Sequence, residues 1–309
     1  MNTTMLRGLR ALALALVAAI TAPVMAEGDA NAAQDKVWDE ARNAAKEGPQ
    51  DIALADQAQL KLPKDTVFIP QPQATQLLNA MGNPGQDPRL QGLIFPKGGD
   101  AGWFMTVRYE KSGFIKDGDA KEWNADDLLT SYKEGTEAQN EERTRMGAAP
   151  LEILGWAETP AYDATSHRLV WAMKSREKGN ANDTDLGVNY NTYLLGREGY
   201  FSMNLVTSLQ DLPAHKPAAQ AMLSALNFSE GKRYADFNES TDHVAEYGLA
   251  ALVLGVGAKK LGLLAMAGVF LAKFAKVGFL ALLGIGAVAR RFFGGKKKAN
   301  DATTPPPAA

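Results

Sequence analysis

The chain has 309 residues, 33 basic and 35 acidic side chains, a formal net charge of −2, 46% hydrophobic residues and no cysteine. That length allows one large or two modest domains with a substantial core. The missing cysteines exclude a disulfide scaffold, thiol redox chemistry, Cys-based zinc sites and a lipid-modified N-terminal cysteine.

Arg7 and Arg10 precede an unbroken apolar run from Ala11 to Ile20, and Pro23 leads to Val24-Met25-Ala26. Small residues then sit three and one positions before a cut that exposes Glu27. A ten-residue run is too short to cross about 30 Å of hydrocarbon, so residues 1–26 are predicted to be an export signal. Residues 27–48 are Ala-, Asp- and Lys-rich, with Val37 and Trp38 as their large apolar residues, and predict a solvent-facing helix or loose leader.

Short alternating runs ended by Pro63 and Pro70 predict strands from Asp51 onward, and Gln73 to Ala80 predicts a short helix stopped by Met81-Gly82-Asn83-Pro84. Trp103 to Tyr109 predicts a strand. Asn124 caps a helix with Asp126 and Asp127 in its first turn, and that helix runs on to Gly147 and Pro150. Four further strands are expected at Leu151–Trp156, Arg168–Lys174, Gly187–Leu195 and Tyr200–Ser208. A helix opening at Pro213 or Pro217 follows and ends near Leu226. Consecutive strands at this spacing favour antiparallel pairing over βαβ crossovers. Residues 49–243 are thus expected to form an α+β domain: one twisted antiparallel sheet with two or three helices on a face.

The chain turns greasy from Gly248 to Ala289, so residues 244–289 are expected to be a membrane-anchor region. Fourteen Leu, Ile, Val or Phe residues between Leu261 and Ala289 offer roughly −4 to −8 kcal/mol, against about +5 to +7 for Lys273 and Lys276 at the centre of a span. Placing the span at 269–289 keeps eleven of the fourteen and moves both lysines to its N-terminal end, where they snorkel. Arg290, Arg291 and Lys296 to Lys298 then mark residues 290–309 as a basic, Pro-rich cytoplasmic tail that attracts anionic lipid headgroups. The signal and the span give one orientation, with the bulk of the chain periplasmic and the C-terminus inside.

The signal carries +2 and the chain from Ala258 onward +8, which leaves −12 for residues 27–257. Such an acidic body argues against binding nucleic acid by simple attraction.

Several strings are familiar as a set: Gly102-Trp103 with Val107-Arg108-Tyr109, Gly113 to Ala120 (GFIKDGDA), Gly155-Trp156, Pro160 to Asp163, His167 to Ala172 (HRLVWA), Val188 to Asn191, Leu195-Gly196-Arg197, and Gly231 to Phe237 (GKRYADF). With the Lys-punctuated C-terminal end, they resemble the bacterial membrane-anchored proteins grouped as domain of unknown function 2167, over roughly Gly48 to Phe293. The resemblance implies export and an anchor, and it brings no activity, cofactor or catalytic residue. The arrangement of a small sheet plus helices is also similar to the PsbP and Mog1 type of fold.

Candidate chemistry is sparse. The three histidines, His167, His215 and His243, stand in no G-x-S-x-G, H-E-x-x-H or phosphate-loop context. Asp117-Gly118-Asp119 has the start of a calcium loop, but position 6 is Glu122 and position 12 is Leu128, so the motif fails. Asp242, His243 and Glu246 place carboxylates beside an imidazole, a pattern more usual for capping than for metal binding.

The best candidate surface is on Gly187–Leu195, where Asn189, Asn191 and Tyr193 share one face and Tyr190 takes the other. With Trp156, Trp171, Arg108 and Tyr109 they suggest an aromatic and amide surface for peptides or sugars, competing with a plain reading as sheet core. Arg197, in a tight turn, is expected to pair with Asp163 or Glu198. The leading expectation is a non-catalytic, membrane-anchored interaction module without cofactors, contacting inner-membrane lipids and associating with itself or a membrane protein. Two alternatives stand beside it. One is an envelope-polymer enzyme using carboxylates such as Asp126/Asp127 or Asp163 with Glu158. The other is an oligomeric accessory built on the basic stripe of Lys273, Lys276, Arg290 and Arg291.

Overall fold

Alternation of apolar and polar residues marks the strands of the described chain. The computed structural model describes residues 27–98, 102–121, 123–180 and 186–254. The chain divides into two units, Met1–Ala258 and Lys259–Ala309, and the described residues all belong to the first. The expected export signal, the span at 269–289 and the basic residues Lys273, Lys276, Arg290 and Arg291 lie outside the described residues. Among those that are described, no helix is long and apolar enough to cross a membrane.

The strands are β1 (Lys46–Glu47), β2 (Gln50–Leu54), β3 (Ala58–Leu62), β4 (Thr66–Pro70), β5 (Leu90–Pro96), β6 (Phe104–Glu110), β7 (Leu151–Asp163), β8 (Arg168–Glu177), β9 (Gly187–Leu195), β10 (Tyr200–Ser208) and β11 (Leu226–Phe228). The helices are α1 (Glu27–Ala44), α2 (Gln73–Ala80), α3 (Ala125–Arg145), α4 (Leu212–Ala225) and α5 (Leu249–Val253). Eight strands form one antiparallel sheet in the order β1-β4-β5-β6-β10-β9-β8-β7, and β11-β3-β2 form a second, three-stranded sheet. The class is α+β, as the strand spacing predicts. The single sheet expected from the sequence is corrected to two, because β11 returns after α4 to pair with β3.

The helices are also not confined to one face. On the first face of the large sheet, Met105, Val107, Tyr190, Phe201, Met203 and Leu205 form one continuous core with the three-stranded sheet and with Leu212, Ala219, Met222 and Leu223 of α4. The opposite face holds two separate cores. At the β4–β5 end, Val67, Ile69, Leu93, Phe95 and Phe104 pack with Leu77 of α2 and the fully buried Ala41 of α1. At the β8 end, Leu169, Trp171 and Met173 pack with Leu128 of α3 and Leu249, Leu252 and Val253 of α5.

Two expectations change on this face. Within the segment at 27–48, Glu27–Ala44 is a helix that docks through Trp38, whose ring meets Phe95 edge-on at 6.2 Å. The start of the greasy C-terminal stretch, Ala245 and Leu249–Val253, is core of the α+β unit. Five residues of such composition bury equally well against a sheet as in lipid, since both remove the same apolar area from water.

Helix α5 is fixed from a distance. Both carboxylate oxygens of Asp119 accept helix-start N–H groups, from Leu249 at 3.1 Å and Ala250 at 3.0 Å. A Cβ at Gly248 would fall 2.4 Å from Asp119 Oδ2, so glycine lets the carboxylate in. Asp119→Ala leaves two buried-end donors without an acceptor and should cost about 1–2 kcal/mol. Thermal unfolding of the full chain followed by near-UV circular dichroism should show a lower Tm, with Asp119→Asn losing less because one acceptor oxygen remains.

Candidate functional site

Between the two cores of the second face runs a polar seam, and the antiparallel register builds it. Arg108 of β6 stands opposite Ser202 of β10, which stands opposite Tyr193 of β9. One row along, Thr106, Asn204 and Asn191 line up in the same way, followed by Trp171 of β8. In the next row Asn189 faces Val206. Residues two apart on a strand share a face, so β6, β9 and β10 each add polar side chains to this strip.

The seam is internally bonded. Asn204 Nδ2 donates to Asn189 Oδ1 at 3.1 Å, and Asn191 Nδ2 donates to the Asn189 carbonyl at 3.2 Å. The Arg108 guanidinium donates through Nη1 to Thr106 Oγ1 and through Nε to Asp87 Oδ2, the latter at 2.8 Å. Asp87 also receives Arg89 Nε at 2.8 Å and Nη2 at 3.1 Å. Burial alone would raise the Asp87 pKa, but the hydrogen bonds and charges of Arg89 and Arg108 outweigh it and hold the carboxyl below its ordinary value. Among the described residues, two buried polar atoms on this face have no partner: Asn204 Oδ1, an acceptor, and Trp171 Nε1, a donor. Leaving such a group unmet inside the fold costs about 1–3 kcal/mol.

The predicted surface is only partly assembled. Asn189, Asn191 and Tyr193 do share the seam face. Trp171 is fully buried beneath it, and its ring meets Tyr193 at 4.7 Å, while Tyr193 stacks on Tyr200 at 5.2 Å. These ring faces are spent on each other, and burial pushes the Tyr193 and Tyr200 phenols well above their ordinary pKa. Trp156 also belongs to the core, with Nε1 donating to the Ala125 carbonyl at the start of α3 at 3.0 Å. Tyr109 lies on the opposite face against Phe201 at 4.9 Å.

Arg197 is elsewhere and has another partner than expected. Its Nε donates to Asp242 Oδ2 at 2.6 Å, its Nη2 to Oδ1 at 2.8 Å and its Nη1 to the Gly231 carbonyl at 3.2 Å. Glu198 is taken by Lys232 at 2.6 Å, and Asp163 accepts from Ser166 at 2.6 Å and from the Thr165 N–H at 2.9 Å. Asp242 is therefore a structural carboxylate and not half of a metal site with His243. Glu158 is likewise engaged, by Lys216 at 2.6 Å. Among the described residues, no group of three His, Asp or Glu side chains is placed to hold a metal ion.

Residues that the sequence reading missed at the seam are Thr106, Ser202, Asn204 and Asp87. Their signal was present as polar residues at alternate positions of otherwise apolar strands, but only pairing shows that they fall in neighbouring rows. A second cluster joins Asp117, Tyr162 and His167. Tyr162 donates to Asp117 Oδ2 at 2.8 Å and lies 3.1 Å from His167 Nδ1, and the His167 ring stacks on Tyr234 at 4.0 Å. Having given its hydrogen to Asp117, the Tyr162 oxygen accepts one from Nδ1. His167 takes a left-handed backbone, φ 54°, to bring its ring there.

The family model described as "Protein of unknown function (DUF2167)" matches residues 46–285. The chain belongs to this family. Among curated proteins none matches. Of solved structures, the chain is similar to cyanobacterial PsbP (CyanoP) from Synechocystis sp. PCC 6803, at 10% identity and a TM-score of 0.36, over 58% of this chain and 92% of that one. It is also similar to the protein of unknown function PA94 from Pseudomonas aeruginosa, at 13% identity and a TM-score of 0.21, over 57% and 94% of the two chains.

The Arg197–Asp242 pair carries a pH dependence of known sign. The Arg197 hydrogen bonds, then the Asn238 N–H, hold the Asp242 carboxyl well below the ordinary carboxylate range. A depressed carboxyl stabilises the fold above its unfolded value, about 3.9. That contribution is lost as pH falls from there through the folded value. Acid titration followed by tyrosine and tryptophan fluorescence should show Asp242→Asn less stable than the unaltered chain at pH 7, with the difference shrinking below about pH 4.

Proposed function

We propose that this member of the DUF2167 family is a non-catalytic binding module that takes its ligand on the polar seam of the large sheet. The observation that carries the reading is the unpartnered Asn204 acceptor among Asn189, Asn191, Ser202 and Arg108, on the sheet face that holds two separate helix-covered cores. Of the carboxylates named for an envelope-polymer enzyme, Glu158 is held in an ion pair with Lys216 and Asp163 in a turn with Ser166, which favours binding over acid–base chemistry at that pair.

Side-chain amide resonances of a chain labelled with 15N-asparagine test this directly. A soluble extract of the bacterial envelope should shift the signals of Asn189, Asn191 and Asn204 and leave those of Asn227 and Asn238, remote in the fold, in place. Shifts at the two control positions alone would refute a ligand at the seam.

The module is also proposed to be exported and held in the inner membrane by residues 269–289, with the basic tail on lipid headgroups. The charge asymmetry and the Lys-flanked apolar run support this. Because the chain is free of cysteine, single substitutions are clean probes. In spheroplasts, Lys64→Cys should react with a membrane-impermeant maleimide, and Pro305→Cys should react only after lysis. Equal reactivity of the two before lysis would reverse or abolish the assigned topology.

A further inference from the structure

The two sheets have four edge strands, and three of them are blunted. Among the described residues, β1 is two residues long and β11 three, too short to template another strand. β7 is long, but its register along β8 shifts three times and it contains Pro160, which has no N–H. The Asn140 side chain of α3 also occupies the backbone of Leu151 in β7, donating to its carbonyl at 2.9 Å and accepting from its N–H at 2.8 Å. β2 has none of these devices. Its five residues pair with β3 in unbroken register, include no proline or lysine, and carry one charge, Asp51, opposite Lys61 of β3. No strand among the described residues pairs with its other side. Bulges, proline, lysine and brevity are how folds keep an edge from pairing, so β2 is the edge left able to pair.

The direction of its backbone groups follows from the hairpin. The Leu54 carbonyl accepts the Gln57 N–H at 3.0 Å, so Leu54 turns its backbone toward β3. These groups alternate along a strand, so Ile52 turns the same way while Asp51 and Ala53 turn theirs outward. The far side of β3 agrees, since Gln57 accepts the Ser229 N–H at 2.9 Å on the side of β11. Asp51 and Ala53 are exposed, and Ile52 and Leu54 are buried in the core beneath.

We propose that β2 pairs antiparallel with β2 of a second copy of this chain, joining two three-stranded sheets into one of six strands. The strand selects its own register. Centred on Ile52, a twofold axis sets Asp51 opposite Ala53 of the second copy and Ala53 opposite its Asp51, and the two pairs exchange four N–H···O bonds. Centred on Asp51, two carboxylates would stand directly opposite, and Ala53 would face Pro49, which has no N–H to give. Centred on Ala53, Asp51 would face Ala55, whose backbone is left-handed at φ 52° and not extended. The register on Ile52 is thus the one without conflict, and it makes the edge complementary to itself. The three-stranded sheet packs on the first face of the large sheet and the seam lies on the second, so the dimer does not depend on what the seam binds.

Cross-linking of the full chain, which has no cysteine of its own, reads this register. Asp51→Cys and Ala53→Cys chains are reconstituted together in phosphatidylcholine vesicles and oxidised with copper phenanthroline. The Cα atoms of an exchanged pair are about 5.5 Å apart, within disulfide reach. Identical positions of the two copies stand diagonally, beyond about 7 Å, so the mixture should give about tenfold more cross-linked dimer than either chain alone. Asn227→Cys, exposed on β11, should cross-link to Asp51→Cys no more than the single chains do.

Cross-linking of Asp51→Cys with itself at the yield of the mixture overturns the register. A yield with Asn227→Cys equal to that of the mixture overturns the interface, as does the absence of dimer from the mixture. The unaltered chain supplies a second reading that no substitution can disturb. Amide hydrogen exchange over β2 should be slow in vesicles crowded with protein and about tenfold faster in nanodiscs holding one copy, because Asp51 and Ala53 then give their N–H groups to water. Equal exchange in the two preparations overturns the proposal.

Discussion

The large sheet presents two faces to bury, and the chain covers them unequally. One face receives a complete second layer, in which β2, β3, β11 and α4 pack over Met105, Val107, Tyr190, Phe201 and Leu205. The other receives two covers, α1 with α2 at one end and α3 with α5 at the other. In the strip between them, Tyr193 and Tyr200 pack on the β8-end core and Val206 on the other, with polar side chains among them. Those polar side chains are amides, hydroxyls and one ion-paired arginine, most of them hydrogen-bonded to one another or to Asp87.

That division also explains why much of the remaining polar chemistry is structural. The second face is held at its β8 end by groups far apart in the chain: Asp119 on the start of α5, Tyr162 between Asp117 and His167, and Arg197 on Asp242. Each ties a connecting segment to the fold beside the hydrophobic contacts of that end. The ring stack of Phe237, Phe114, Tyr234 and His167, with centroids 3.8 to 4.3 Å apart, lines the same junction. The seam differs from these clusters in that Asn204 Oδ1 and Trp171 Nε1 have no partner among the described residues.

Local pattern was enough for many of the elements. The helix from Gln73 to Ala80 and the strands Gly187–Leu195 and Tyr200–Ser208 coincide with the expected bounds, and Asn124 caps α3 through the N–H groups of Asp126 and Asp127. Strand β5 was not anticipated. Its run LQGLIFP is apolar nearly throughout, since both of its faces are buried, and such a run has no period by which to tell strand from other buried segments. Helix α1 was legible as a helix but not as a docked one, since Ala41, Val37 and Trp38 form too small a stripe to announce a partner.

The sequence by itself determined the class of the fold, the face on which each β9 residue lies, the family, and the expectation of an acidic exported body, because all of these follow from local period, composition and charge. Only the tertiary structure decided that Trp156 and Trp171 are core, that Arg197 belongs to Asp242, and that Asn189, Asn191, Asn204, Ser202, Arg108 and Asp87 meet. Strand order and register bring these residues together across up to about a hundred positions of chain. The pairing depends on which strand finds which neighbour, a free energy that no single segment contains.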